Sequence, residues 1–190
     1  THVQATSLSQ AASAIVLEYS QSLIISLCVF RDSSFRSFIN LKNDLSITTN
    51  LTLEKSNFHD SSQEYKDRGN GVFLQADGKI NVIIIDCNFT NGWTSGSGGA
   101  LSMKCPFGLC NMALEGTTTL TVSRALGRGQ AIYSPNSLVK MGDFVRILST
   151  QANKTLIYTV ASNFILDFDL NKLANLLGQV RAKPSLINSN

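Results

Sequence analysis

The sequence predicts an all-β chain coiled as a parallel β-helix (solenoid) of about 28–33 residues per coil. Three observations carry that expectation. A short form ending in phenylalanine recurs, in "SLCVF" (26–30), "EKSNF" (54–58), "IDCNF" (85–89) and "VASNF" (160–164), each with a small Cys28, Ser56, Cys87 or Ser162 two places before the ring. A second form, small residues followed by Ala or Gly and then aliphatics, follows in turn: "ASAIVL" (12–17), "GNGVFL" (69–74), "GGALSM" (98–103) and "GQAIYS" (129–134), with "RSFINL" (36–41) a degenerate copy. The two forms keep one period: 28 and 31 residues separate Phe30, Phe58 and Phe89, and 29 and 31 separate Gly71, Ala100 and Ala131.

The unit suits strands rather than helices. Its segments are short, β-branched and aromatic, and Gly, Asn, Asp or Ser interrupts them roughly every 8–12 residues. With no room for a crossover helix, a unit of this length is one coil. Successive coils then stack about 4.8 Å apart, and equivalent residues form columns along the axis.

Taken in chain order, residues 1–11, "THVQATSLSQA", are polar and short, and the chain enters a coil almost at once at "AIVLEY" (14–19). The first coil is therefore expected to continue onto other β-structure, either a preceding part of a longer chain or a neighbouring β-helix subunit stacked end to end. Phe30, Phe58, Phe89 and Phe164 are assigned to one interior ladder, with Cys28, Ser56, Cys87 and Ser162 as a column of small residues beside it. Strand alternation puts Ile83 and Ile85 inward, with Cys87 and Phe89 continuing that face. The same alternation puts Asp32, Asp60 and Asn91 on the phenylalanine face, as a polar ladder at a corner. His59 adjoins Asp60 but should face the opposite way, into solvent. Trp93 sits in the following turn, where it either covers the side of the coil or contacts carbohydrate. Gly98, Gly99 and Ala100, and later Gly129 and Ala131, form the turn motif, since glycine tolerates the positive φ of a tight bend. Arg124 and Arg128 lie in a solvated turn. The segment 135–154 fits the repeat poorly and reads as an irregular coil, with "DFVRIL" inserted, or as a loop for a partner. Coils extend to residue 168. Residues 169–190 then form a cap or arm, and Leu170, Leu173, Leu176 and Leu177 could share one face of a short helix.

Composition limits function. Of the 190 residues 43% are hydrophobic and 15% charged, with a net charge of +3 from 16 basic and 13 acidic residues that are scattered along the chain. No basic stripe interleaved with aromatics points to nucleic acid, and no apolar run approaches the roughly 20 residues of a membrane span. A zinc site needs a second cysteine pair or nearby histidines, and the chain has only 2 histidines. No metal or cofactor is expected. Sequons at Asn50, Asn88 and Asn153 are candidate glycosylation sites in a secreted protein.

At "GGAL" (98–101), and partly at "GNGV" (69–72) and "GQAI" (129–132), the sequence resembles the right-handed parallel β-helix superfamily. It is most similar to polymorphic-outer-membrane-protein-type repeats of autotransporter passengers and protist surface proteins. It departs from them in having Asn91 two places after Phe89 rather than three. The resemblance implies a right-handed coil and an extracellular or cell-surface structural or adhesive module, and the spread of Asp32, Asp60 and Asn91, one per coil, points to no enzymatic activity. That module would be a segment of a larger surface protein or a subunit stacking in a filament, with glycans or cell-surface molecules as possible ligands. A second class within the superfamily is the carbohydrate-active enzyme, a polysaccharide lyase or hydrolase, which needs several carboxylates converging on one outer groove.

The cysteines yield a first test. Cys28 and Cys87 share a column two coils apart, about 10 Å at strand spacing, beyond the roughly 7 Å that a disulfide tolerates between Cα atoms. Cys105 and Cys110 flank a four-residue loop. Peptide mapping under non-reducing conditions should find the 105–110 bridge and two free thiols; a 28–87 bridge would refute the register.

Overall fold

The computed structural model describes residues 13–18, 22–33, 37–43, 46–63, 71–105, 110–121, 123–148, 157–158 and 164–166. It is a parallel β-helix. Each of the first five coils contributes one strand to each of three sheets, and the fourth adds a short extra strand to the third sheet. The first coil carries β1 (Ile15–Glu18), β2 (Ser22–Ser26) and β3 (Val29–Ser33), and the second β4 (Ile39–Lys42), β5 (Thr49–Glu54) and β6 (Asn57–Gln63). The third carries β7 (Leu74–Asp77), β8 (Ile80–Ile85) and β9 (Asn88–Thr94). The fourth carries β10 (Leu101–Lys104), β11 (Cys110–Glu115), β12 (Thr119–Thr121) and the short β13 (Arg124–Ala125). Beyond it follow β14 (Ile132–Tyr133), β15 (Ser137–Met141), β16 (Arg146–Leu148), β17 (Ile157–Tyr158) and β18 (Phe164–Leu166). The orders β1-β4-β7-β10-β14-β17, β2-β5-β8-β11-β15-β18 and β3-β6-β9-β12-β16 define the sheets, called here the first, second and third. The pairing is parallel throughout.

Columns of like side chains fill the interior. Phe30, Phe58 and Phe89 stack with ring centroids 4.8 Å apart and planes 1° and 12° from parallel, so the strand spacing itself sets the ring spacing. Phe38 and Phe73 form a second pair, 6.1 Å apart, whose rings lie tilted against the first column. Burying each ring stabilises by roughly 1.5–3 kcal/mol, and each aromatic contact adds about 0.5–1.5. The columns then change size. Phe89 is followed by Leu120 and Ile147, while Phe73 is followed by the buried Ala100 and Ala131.

Phe164 does not extend the phenylalanine column. It pairs with Val139 in the second sheet, so its "SNF" context misleads about position. Ser162, Asn153 and the segment 169–190 lie outside the described residues. Residues 137–148 are not an insertion. β15 and β16 continue the second and third sheets in register, with Ser137, Val139, Met141, Val145 and Ile147 buried. Pro135 and the positive-φ Asn136 turn the chain ahead of β15 and mask its alternation.

The face of β8 also differs from strict alternation. Val82 and Ile84 are fully buried, whereas Ile83 is 40% exposed and Ile85 only partly buried. Asp86, with φ at 52°, shifts the phase by one residue, so that Cys87 and Phe89 still reach the core. Leu27 and Lys55 hold the same left-handed conformation in the preceding coils, at φ 55° and 46°. The turn motif is likewise shifted: Gly71 aligns with Gly98 and Gly129, not with Ala100, and all three glycines have φ between 64° and 70°.

This phase makes a prediction. Ile84→Ala should cost about 2–5 kcal/mol of unfolding free energy, while Ile83→Ala should cost well under 1 kcal/mol, as for a surface site. Chemical denaturation of the two variants checks it, and the reverse order would restore unbroken alternation.

Candidate functional site

The outer faces of the second and third sheets carry polar ladders. Asn50, Asn81 and Asn111 occupy one column of the second sheet. Asn81 Nδ2 donates to Asn50 Oδ1, and Asn111 Nδ2 donates to Asn81 Oδ1, each at 3.0 Å. On the third sheet Asn88 Nδ2 donates to Asn57 Oδ1 at 2.9 Å, and the Thr119 hydroxyl donates to Asn88 Oδ1 at 2.6 Å. The hydroxyls of Thr90 and Thr121 meet at 3.1 Å. Parallel, in-register stacking makes these chains possible, because each amide offers a donor on one side and an acceptor on the other.

Asp60 and Asn91 form a further rung, with Asn91 Nδ2 donating to Asp60 Oδ1 at 2.9 Å. Both residues are exposed, not on the phenylalanine face. Their φ values of 56° and 58° break the alternation and swing both side chains outward, in the left-handed region that Asp and Asn tolerate best. The same turn brings the Asp60 carboxylate to His59, whose Nδ1 lies 2.8 Å from Asp60 Oδ2, so the two do not face opposite ways. The Asn91 amide first, and then His59, holds the Asp60 carboxyl below its ordinary value. Asp32 lies on β3 one coil earlier, but its side chain lies outside the described residues.

At the neighbouring corner Cys28, Ser56, Cys87 and Thr118 form a column. The Cys28 N–H donates to Ser56 Oγ, the Cys87 N–H to Thr118 Oγ1, and the Ser56 and Thr118 hydroxyls bond back to Glu54 and Glu115 carbonyls. Side chains thus replace backbone partners where the strands bend. Cys28 and Cys87 are free thiols, and burial pushes the Cys87 thiol up to about 11, which keeps it neutral and unreactive. The Asp86 carboxylate caps the loop of the next coil, accepting from the Thr117 N–H and hydroxyl, and these bonds hold its pKa low. Cys105 and Cys110 are joined by a disulfide, Cα atoms 5.9 Å apart.

The turn after β9 is tightly built. A side chain at Gly99 would run into the Gln130 carbonyl and the Arg124 backbone. Buried Gln130 bonds both the N–H and the carbonyl of Ala125, tying β13 into the wall. Trp93 pairs with Arg124 in register and is half-buried against the coil, not freely exposed. Arg124 and Arg128 are exposed. Of the sequon asparagines, Asn50 and Asn88 are exposed ladder members.

The first coil has an edge of its own. β1, β2 and β3 are the terminal strands of their sheets among the described residues. Their inward Ile15, Leu17 and Leu23 are only partly buried, whereas Ile39, Leu41 and Leu51, one coil further in, are 0–1% exposed.

Strand alternation missed the asparagine ladders, although Asn50 and Asn81, and Asn57 and Asn88, each stand 31 residues apart. That separation was signal enough. Comparison with protein-family models, with curated proteins and with solved structures gave no significant match.

Asp60 has a folded-state pKa below its unfolded value, so its contribution to stability is present above about pH 4 and lost as pH falls through the folded value. Urea midpoints of the wild type and Asp60→Asn should differ near neutrality and converge in acid, once the carboxyl is protonated. A gap that persists unchanged in acid would show that the rung is not what Asp60 supplies.

Proposed function

We propose that this chain is a non-enzymatic structural module of an extended β-helix, at or outside the cell surface, which continues end to end onto further β-structure through its first coil. The observation that carries the reading is the partly buried first coil. Although Ile25 and Phe30 of that coil are buried, Ile15, Leu17 and Leu23 are only partly so, and their register partners Ile39, Leu41 and Leu51, which have a described coil on either side, are sealed. An edge of parallel strands with unpaired N–H and C=O groups is a template for another strand of like direction. That neighbour is either the preceding coils of a longer chain or a second subunit. Head-to-tail contact between subunits grows into a filament rather than closing into a dimer.

The outer surface supports a scaffold. Its amides and hydroxyls satisfy one another along the axis, and Asp60 and Asp86 stand at separate corners, each engaged by a neighbour, rather than converging on one groove. The 105–110 disulfide fits an oxidising compartment, and the exposed Asn50 and Asn88 are placed where glycosylation would occur. The repeat motifs favour kinship with polymorphic-outer-membrane-protein-type surface proteins, for which adhesion or spacing at a cell surface is the expected role.

Static light scattering of the isolated chain should show a mass that rises with concentration. Leu23→Lys, which puts a charge on the edge coil, should hold the mass at that of a monomer without loss of the β-type circular dichroism spectrum. A wild-type chain that stays monomeric at every concentration would contradict the reading.

A further inference from the structure

The corner between the first and second sheets holds a groove of about 470 Å³, to which four successive coils contribute. Because its walls come from stacked coils, the groove runs along the axis. Lys42, Asp77 and Lys104 are register partners on its rim, alternating in sign. At strand spacing the two lysine positions stand about 10 Å apart. Tyr133 lines the same groove from the next coil, half-buried. Asn43 and Gly78 lie at its base. A side chain at Gly78 would collide with the Asn43 carbonyl, so the base is bare backbone there.

Two residues that line this groove each carry a buried acceptor without a donor. Asn43 Nδ2 is committed to its own loop, donating to the Ile47 carbonyl and to Thr49 Oγ1, which fixes the amide and leaves Oδ1 buried without a donor. Asp77 Oδ2 accepts from Gln75 Nε2 at 3.0 Å, while Asp77 Oδ1 is buried without a partner. A buried acceptor without a donor costs about 1–3 kcal/mol, so the polar demand of this corner is unmet within the chain.

We infer that this groove binds a linear anionic glycan lying along the axis. Lysine, carboxylate, lysine calls for a ligand that presents a negative group, then donors, then a negative group. Acidic sugars supply that order, with carboxylate or sulfate groups separated by hydroxyls, and their C–H faces suit Tyr133. An unbroken run of negative charge, as in an acidic peptide or polyphosphate, would be repelled by Asp77. The site is independent of stacking at the first coil.

The test is titration calorimetry of the full chain with an oligouronate, a sulfated oligosaccharide, a neutral glucan oligomer and polyglutamate. Binding of the oligouronate or the sulfated sugar is expected, weakening with salt. The variant Lys42→Gln/Lys104→Gln should lose about tenfold or more in affinity, since a charge-assisted hydrogen bond is worth about 1.5–3 kcal/mol. Asp77→Ala should weaken the acidic sugars and improve polyglutamate, a change that mere loss of structure would not produce. Circular dichroism reports that both variants keep the fold. No binding by either acidic sugar, affinity unchanged in the lysine variant, or polyglutamate binding as well as the sugars would each overturn the inference.

Discussion

A parallel coil must turn back on itself without losing its interstrand hydrogen bonds, and in this chain the solution is a set of residues held in the left-handed conformation. Leu27, Lys55, Asp86 and Gly116 make one such series, and Gly71, Gly98 and Gly129 another, with φ between 46° and 70°. For a side chain such as Leu or Lys this conformation costs about 1–2 kcal/mol. The ladder offsets it, because the Leu27, Lys55 and Asp86 N–H groups donate to the carbonyls of Glu54, Ile85 and Glu115 in the next coil. The corner is therefore stabilised by stacking rather than by its own sequence. That is why such different residues occupy it, and why Leu27 remains there 66% exposed.

Fixed corners let everything between them vary. Ile15 pairs with Ile39, 24 residues on, and Ile39 pairs with Leu74, 35 residues on, yet both pairs belong to one sheet. The columns stay in line although the number of residues between them changes. Thr117 is a small case: one residue more than in the previous coil, held by Asp86. Constant spacing of the walls makes outer ladders of amides, and makes an axial groove whose charges recur by coil. The proposed scaffold and the proposed glycan groove both follow from that regularity.

How much was legible follows from the same physics. The phenylalanine column could be read because both its period and its residue type repeat, and the ring spacing leaves no freedom. The phase of β8 could not, since Asp86 carries no mark that distinguishes a left-handed corner from one more strand residue; Ile83 and Ile85 looked as inward as Val82 and Ile84. Gly71 was paired with Ala100 because a small residue is all the pattern asks, while the hydrogen bonds align it with Gly98. Asp60 and Asn91 were read as a rung, but the left-handed turn that points them outward is invisible to a period-two count. Phe164 shows the opposite failure, a familiar motif in the wrong sheet.

The central claim is that stacked left-handed corners fix the register of the second sheet, setting Thr52 beside Ile83 on its outer face. A chain carrying Thr52→Cys and Ile83→Cys, with Cys28 and Cys87 replaced by serine, measures this through disulfide formation under mild oxidation. Neighbouring positions about 4.8 Å apart should cross-link rapidly and with the native spectrum retained, while Thr52→Cys with Ile84→Cys should remain reduced. Rapid cross-linking of the second pair, with the first unreactive, would contradict the register on which the whole account stands.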